Sequence, residues 1–233
     1  FCNSFTVMLG GKRKPNLTNE LRYIAIEGVI GAGKTSLAKR IGERLNAKFI
    51  FEQFENNPFL EKFYIDRKRF AFQTQMFFLI NRFKQQQELH QEDLFSEHLI
   101  CDYIFEKDRI FAYMNLSKDE LNLYESIYPL LARSLRKPDL VIFLQSNTDR
   151  LVHNIKKRNR KVERAITRNY LEELSEAYNH YFFRYNSTPL LIVNSSDIDF
   201  VNSNNDFDEL FKQIFREDRG FTEYFNPETR RII

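Results

Sequence analysis

Residues Gly28-Val-Ile-Gly31-Ala-Gly33-Lys34-Thr35 constrain this chain more than any other stretch. The spacing is Gly, four residues, Gly, Lys and Thr, set directly after an apolar run and directly before a segment of helical period. Glycines let successive backbone N–H groups wrap phosphate oxygens, and the start of the helix adds positive potential. A lysine at this spacing reaches the terminal phosphates, and a hydroxyl after it has the geometry for Mg²⁺. The loop needs a strand before it and a helix after it, so it predicts an α/β chain.

The rest of the sequence repeats that alternation. Tyr23 to Glu27, Lys48 to Phe51, Leu99 to Asp102, Leu140 to Leu144 and Leu190 to Val193 are apolar runs bounded by polar residues or Pro. Each predicts a strand buried on both faces. Helical periods occupy Lys34 to Leu45, Phe70 to Gln91, Lys118 to Ser134, Thr148 to Arg158 and Arg168 to Phe183. The order predicts a parallel sheet wrapped by helices. Residues 1–20 lack a period and read as an arm, 195–208 as a polar loop, and 207–215 as a last helix. The tail, 219–233, reads as irregular.

Composition narrows the partners. The 233 residues carry 35 Lys plus Arg against 32 Asp plus Glu, a net charge of +3. Such a balance does not favour nucleic acid or an anionic membrane as the partner. The longest apolar runs, such as Met76 to Ile80, fall far short of the roughly 20 residues that cross a bilayer. Two distant cysteines, and no basic, apolar, small-residue order at the start, make the cytoplasm the expected compartment.

In a parallel sheet the chemistry sits at the carboxyl ends of the strands. Glu52 follows Phe49-Ile-Phe51, where it can accept a proton from a hydroxyl; Asp102 ends His98-Leu-Ile-Cys, where it suits the magnesium side of a bound nucleotide. A cap or a surface ion pair is the alternative for each. Lys156 to Arg164 holds six cations in nine residues. It is either a solvated helix end or a lid whose arginines close over a transferring phosphoryl group.

Together these residues resemble the deoxynucleoside kinase family, most closely its bacterial purine-preferring branch. The resemblance runs from about Tyr23 to Asn194. Besides the loop it includes Phe51-Glu52, Asn57-Pro-Phe-Leu60, Phe63-Tyr64, Phe72-Gln73-Thr-Gln75, Asn81-Arg82, Asp102, Lys107-Asp108-Arg109, Arg158-Asn-Arg160 with Glu163, and Tyr170-Leu-Glu-Glu-Leu174. It implies a P-loop kinase fold over residues 21–218, with a five-stranded parallel sheet, flanking helices and a small lid at about 156–165. It also implies ATP or another nucleoside triphosphate as donor, Mg²⁺ as cofactor and a homodimer.

For the site, the resemblance implies that the ATP phosphates rest on the loop amides of Gly28, Gly31, Ala32, Gly33 and Ser36 and on Lys34. Thr35 and Asp102 then lie on the magnesium side, and Glu52 is general base on the nucleoside 5′-hydroxyl. Arg158 and Arg160 are lid arginines, Tyr64 and Glu163 hold the sugar 3′-hydroxyl, and Gln75, Arg82 and Asp108 read the base. Independently, Gln75 and Arg82 are seven apart in a helical segment, so they share a face about 10 Å apart along the axis. One departure stands out. Tyr103 occupies the position after the strand-ending acid where the family usually has Arg, with Lys107 and Arg109 as possible substitutes.

Two alternatives remain at this stage. A nucleoside monophosphate kinase shares the loop and lid, although Glu52 stands where such an enzyme places a monophosphate-binding arginine. A kinase-like structural subunit without catalysis is the other, and intact Lys34, Thr35, Glu52 and Asp102 argue against it.

Overall fold

The computed structural model describes residues 21–92 and 97–227. The arm expected over residues 1–20 lies outside them. Six strands form one all-parallel sheet in the order β2-β3-β1-β4-β5-β6. They are β1 (Tyr23–Gly28), β2 (Lys48–Ile50), β3 (Leu99–Cys101), β4 (Leu140–Gln145), β5 (Leu190–Asn194) and β6 (Thr222–Phe225). All six residues of β1 are buried, as the central position of the strand requires. The chain moves from β1 to one side for β2 and β3, then crosses to the other for β4 to β6. That reversal opens a crevice at the carboxyl end of β1, where ligands of open α/β sheets bind.

The sixth strand corrects the five expected and falls within the tail expected to be irregular. β6 is a short edge strand with alternating exposure, so it lacks the continuous apolar run that marks the buried strands. Leu190 N–H donates to the Phe221 carbonyl (2.8 Å) at the start of the pairing.

Among the described residues, eight α-helices surround the sheet: α1 (Lys34–Leu45), α2 (Leu60–Ile65), α3 (Arg67–Glu92), α4 (Lys107–Asn115), α5 (Lys118–Ala132), α6 (Thr148–Arg158), α7 (Arg168–Phe183) and α8 (Asn204–Ile214). α1 buries Leu37, Ala38 and Ile41 against the sheet, each large aliphatic chain contributing about 1.5–3 kcal/mol. α2 and α4 are too short to show a helical period and were not among the expected helices. A second small core of Leu79, Phe105, Ala112, Tyr124 and Tyr128 locks α3, α4 and α5 together. No described helix is long and apolar enough to cross a membrane.

Candidate active site

Helices α6, α7 and α8 start with capping side chains, Asn147, Thr167 and Ser203, that accept a backbone N–H. α1 has no side-chain cap and no acid in its first turn. Its first N–H groups are thus left for an anion. The loop before it turns through Gly31 at φ 93° and Gly33 at φ 97°, the left-handed region that side chains resist. A Cβ on Gly31 would also stand 2.8 Å from the Leu151 carbonyl. Asn154 Nδ2 on α6 donates to the Gly31 carbonyl (2.8 Å), fastening that helix onto the loop.

Lys34 Nζ bends back over this loop, donating to the carbonyls of Gly28 (2.7 Å) and Val29 (3.3 Å). Burial, and then the nearby Lys107, lower its pKa to about 8 against the opposing pull of Glu27, Glu52 and Asp102. Thr35 Oγ1 donates to Asp102 Oδ2 (2.5 Å), while Asp102 Oδ1 accepts the Glu52 backbone N–H (2.8 Å). Asp102 thus joins the loop to Glu52. A hydroxyl and a carboxylate oxygen side by side suit a hard divalent cation that takes its other ligands from phosphate and water. No cluster of three or more His, Cys, Asp or Glu forms a separate metal cage among the described residues.

Beyond the loop opens a cavity that Lys34, Thr35, Glu52 and Asp102 help to line. Glu52 stands at the junction, its side chain 14% exposed. Its Oε1 accepts from Arg82 Nε (2.8 Å) and Nη2 (2.5 Å), and its Oε2 from Lys107 Nζ (2.7 Å). Burial alone would raise the carboxyl's pKa. The charges of Lys107 and then Arg82 outweigh it and hold the group far below the usual carboxylate range.

Gln75, Arg82, Tyr64 and Glu163, the other expected substrate-binding residues, line the cavity. Asp108 is fully buried and does not line it. It accepts from Gln75 Nε2, Arg82 Nη1 and Tyr124 Oη (2.9 Å for the last). Asp108, expected to read the base, lies behind Gln75 and Arg82, where it orients them. Burial pushes its pKa up despite the adjacent guanidinium.

In the segment expected to act as a lid, Arg158 binds Glu163 through Nε (2.7 Å) and Nη2 (2.5 Å), and Arg160 Nη1 lies 3.8 Å from the same carboxylate. The Arg160 guanidinium also rests over the Phe54 ring at 4.7 Å. Asn159 at φ 49° ends α6 and turns the chain back over the cavity. Both expected lid arginines thus converge on the same acid. Tyr64 packs edge-on against Tyr170 (5.9 Å), and burial pushes the pKa of its hydroxyl up.

Tyr103 is fully buried, with its hydroxyl donating to Gln85 Oε1 (3.2 Å). Arg109 is engaged by Glu125 and Tyr113 at the surface. Of the possible substitutes for an arginine at position 103, Lys107 is the one that reaches Glu52. Sequence reasoning missed Glu27 and Tyr124. Glu27 ends an apolar strand just as Asp102 does, a signal that could have found it; Tyr124 carries no such mark.

The deoxynucleoside kinase family matches residues 24–217. The chain is 37% identical over 201 residues to a deoxyguanosine kinase of Bacillus subtilis, covering 84% of this chain and 97% of that one. It is 31% identical over 199 residues to a deoxyadenosine/deoxycytidine kinase of the same organism, covering 82% and 90%. A solved deoxyadenosine kinase from M. mycoides with bound dATP superposes with a TM-score of 0.72 at 27% identity, covering 83% of this chain and 98% of that one.

Proposed function

Because the chain belongs to the deoxynucleoside kinase family, whose members are ATP-dependent phosphotransferases acting on a nucleoside hydroxyl, we propose that its preferred acceptors are purine deoxynucleosides and that Glu52 is the base. The observation that carries the second part is the Asp102 bridge, which fixes Glu52 between the phosphate loop and the cavity. In this reading Glu52 takes the proton of the 5′-hydroxyl as its oxygen attacks the γ-phosphorus, and the β–γ bridging oxygen leaves with the ADP. Lys34 and the loop amides from Gly28 to Ser36 hold the phosphates, and Arg158 and Arg160 close on the transferring group. Tyr64 and Glu163 receive the sugar hydroxyl. Thr35 and Asp102 would hold Mg²⁺, which would draw charge off the phosphate oxygens.

Three of the five N–H groups of Arg82 are engaged by Glu52 and Asp108 among the described residues. The remaining two suit the adjacent acceptors N7 and O6 of guanine, or N7 of adenine; thymine has no N7 and brings a methyl group against the guanidinium. The relatives named for deoxyguanosine and deoxyadenosine support this order. A panel of deoxynucleosides with ATP, scored by kcat/KM, is expected to rank deoxyguanosine or deoxyadenosine first and thymidine lower by roughly 10- to 100-fold. Thymidine in first place would overturn the assignment of Arg82.

Asp102→Asn is expected to raise the Mg²⁺ concentration for half-maximal activity by about tenfold or more, since a neutral amide is a weaker oxygen ligand. An unchanged metal titration would leave Asp102 only the structural task of bridging Thr35 and Glu52. A homodimer in the cytoplasm belongs to the same reading, supported by the exposed apolar side chains of Ile80, Leu123 and Leu130 on α3 and α5.

A further inference from the structure

Lys107 opens α4 with its side chain 6% exposed, and it lines the cavity. Its Nζ lies 2.7 Å from Glu52 Oε2 and 4.0 Å from Glu27 Oε1. A buried ammonium is costly to desolvate, and buried ion pairs are often matched in stability by apolar side chains of similar volume. Fold stability alone is thus a weak reason for a charge here. Its place relative to the reacting groups is a stronger one. Arg82 holds one oxygen of Glu52 and Lys107 the other, so a hydroxyl approaching Oε2 meets the Lys107 ammonium as well. Lys34 stands on the opposite, loop side, near enough for the two ammonium charges to repel.

We propose that Lys107 is a catalytic residue, a cation that touches the attacking oxygen and the transferring phosphoryl group as negative charge passes to them from Glu52. The proposal rests on the reading of this cavity as the nucleoside site. As the O–H bond breaks, its proton goes to Glu52 and neutralises the main partner of Lys107. The O–P bond forms with the electron pair left on oxygen, and the P–O bond to ADP breaks with its pair leaving on ADP. Lys107, released from Glu52, has its next favourable contact at the oxygen that has just reacted. Glu27 keeps the ammonium countered throughout. Its own carboxylate is fixed by the N–H groups of Gly28 (2.9 Å) and Ile104 (3.1 Å) and by Tyr178 Oη (3.1 Å), so it is a positioning residue for Lys107.

The test uses the full chain with deoxyguanosine and ATP. Lys107→Met and Lys107→Ala are expected to lower kcat by about 10²-fold or more, with both KM values within about threefold of wild type. Ethylammonium chloride is expected to restore turnover of Lys107→Ala saturably, beyond potassium chloride at equal ionic strength, and Lys107→Arg to retain more activity than either neutral variant. A kcat within about threefold of wild type, a loss confined to KM, or an Ala variant that no small amine restores overturns the proposal. So does a variant already unfolded at the assay temperature, because that outcome assigns the ammonium to the fold. Wild-type protein inactive on every deoxynucleoside would instead overturn the reading of the cavity.

Discussion

Lys34→Met is expected to lower phosphoryl transfer by about 10³-fold or more, roughly 4 kcal/mol in the barrier, while the protein still folds. On the proposed reading the ammonium is a point charge aimed at phosphates rather than a support for the core: among the described residues it donates to two loop carbonyls, Gly28 and Val29. Removing it takes no direct partner from a carboxylate, and it relieves repulsion with Lys107, which lowers the Lys34 pKa. Stability should therefore change little. Single-turnover transfer rates beside urea unfolding curves check both halves. A variant within about tenfold of wild-type rate would remove Lys34 from the reaction.

Glu52→Gln should behave differently in a way that the structure makes specific. Turnover is expected to fall by about 10² or more because an amide cannot take the proton, with a smaller effect on nucleoside binding. Unlike Lys34→Met, this change takes a carboxylate away from two buried cations, leaving Arg82, among the described residues, with Asp108 alone and Lys107 with Glu27 at 4.0 Å. Arg82 loses its pairing at 2.5 Å and Lys107 its pairing at 2.7 Å, and breaking one partner of a buried pair typically costs about 3–5 kcal/mol. A marked drop in the urea midpoint should accompany the loss of rate. The carboxyl is held far below its usual range in the folded protein, so the stability it contributes is complete above the unfolded pKa of about 4.3. That contribution declines as pH falls below that value and is gone once pH has fallen through the depressed folded value. Near-normal turnover would move the base elsewhere, and an unchanged midpoint would contradict the charge network.

The contrast between these two residues traces to one row of alternating charges: Glu27, Lys107, Glu52, Arg82, Asp108. It runs from the strand before the phosphate loop to the helices behind the cavity. Because Arg82 touches both Asp108 and Glu52, the group assigned to the base edge also holds the proposed proton acceptor. A substitution at Arg82 would therefore disturb nucleoside selection and turnover together.

The sequence by itself determined what is written in contiguous residues. The loop from Gly28 to Thr35, the five buried strands, the long helices and the placement of Glu52 and Asp102 at strand ends all follow from local spacing, because one strand and the turn after it set where those groups point. The edge strand β6 was not legible, since a half-exposed segment lacks the apolar run of a buried one. Only the tertiary structure decided which charges meet. Lys107 reaches Glu52 across 55 positions, and Arg82 reaches Asp108 across 26. Those contacts depend on how α3 and α4 pack over the sheet and on which face α4 turns inward. Tyr124 was hidden for the same reason, since packing of α5 against α4 brings its hydroxyl to Asp108. Burial then separated chemically similar groups: Asp108 is enclosed by three donors and orients its neighbours, whereas Glu52 stands at the rim of the cavity, where the proposed reading brings the substrate hydroxyl to it.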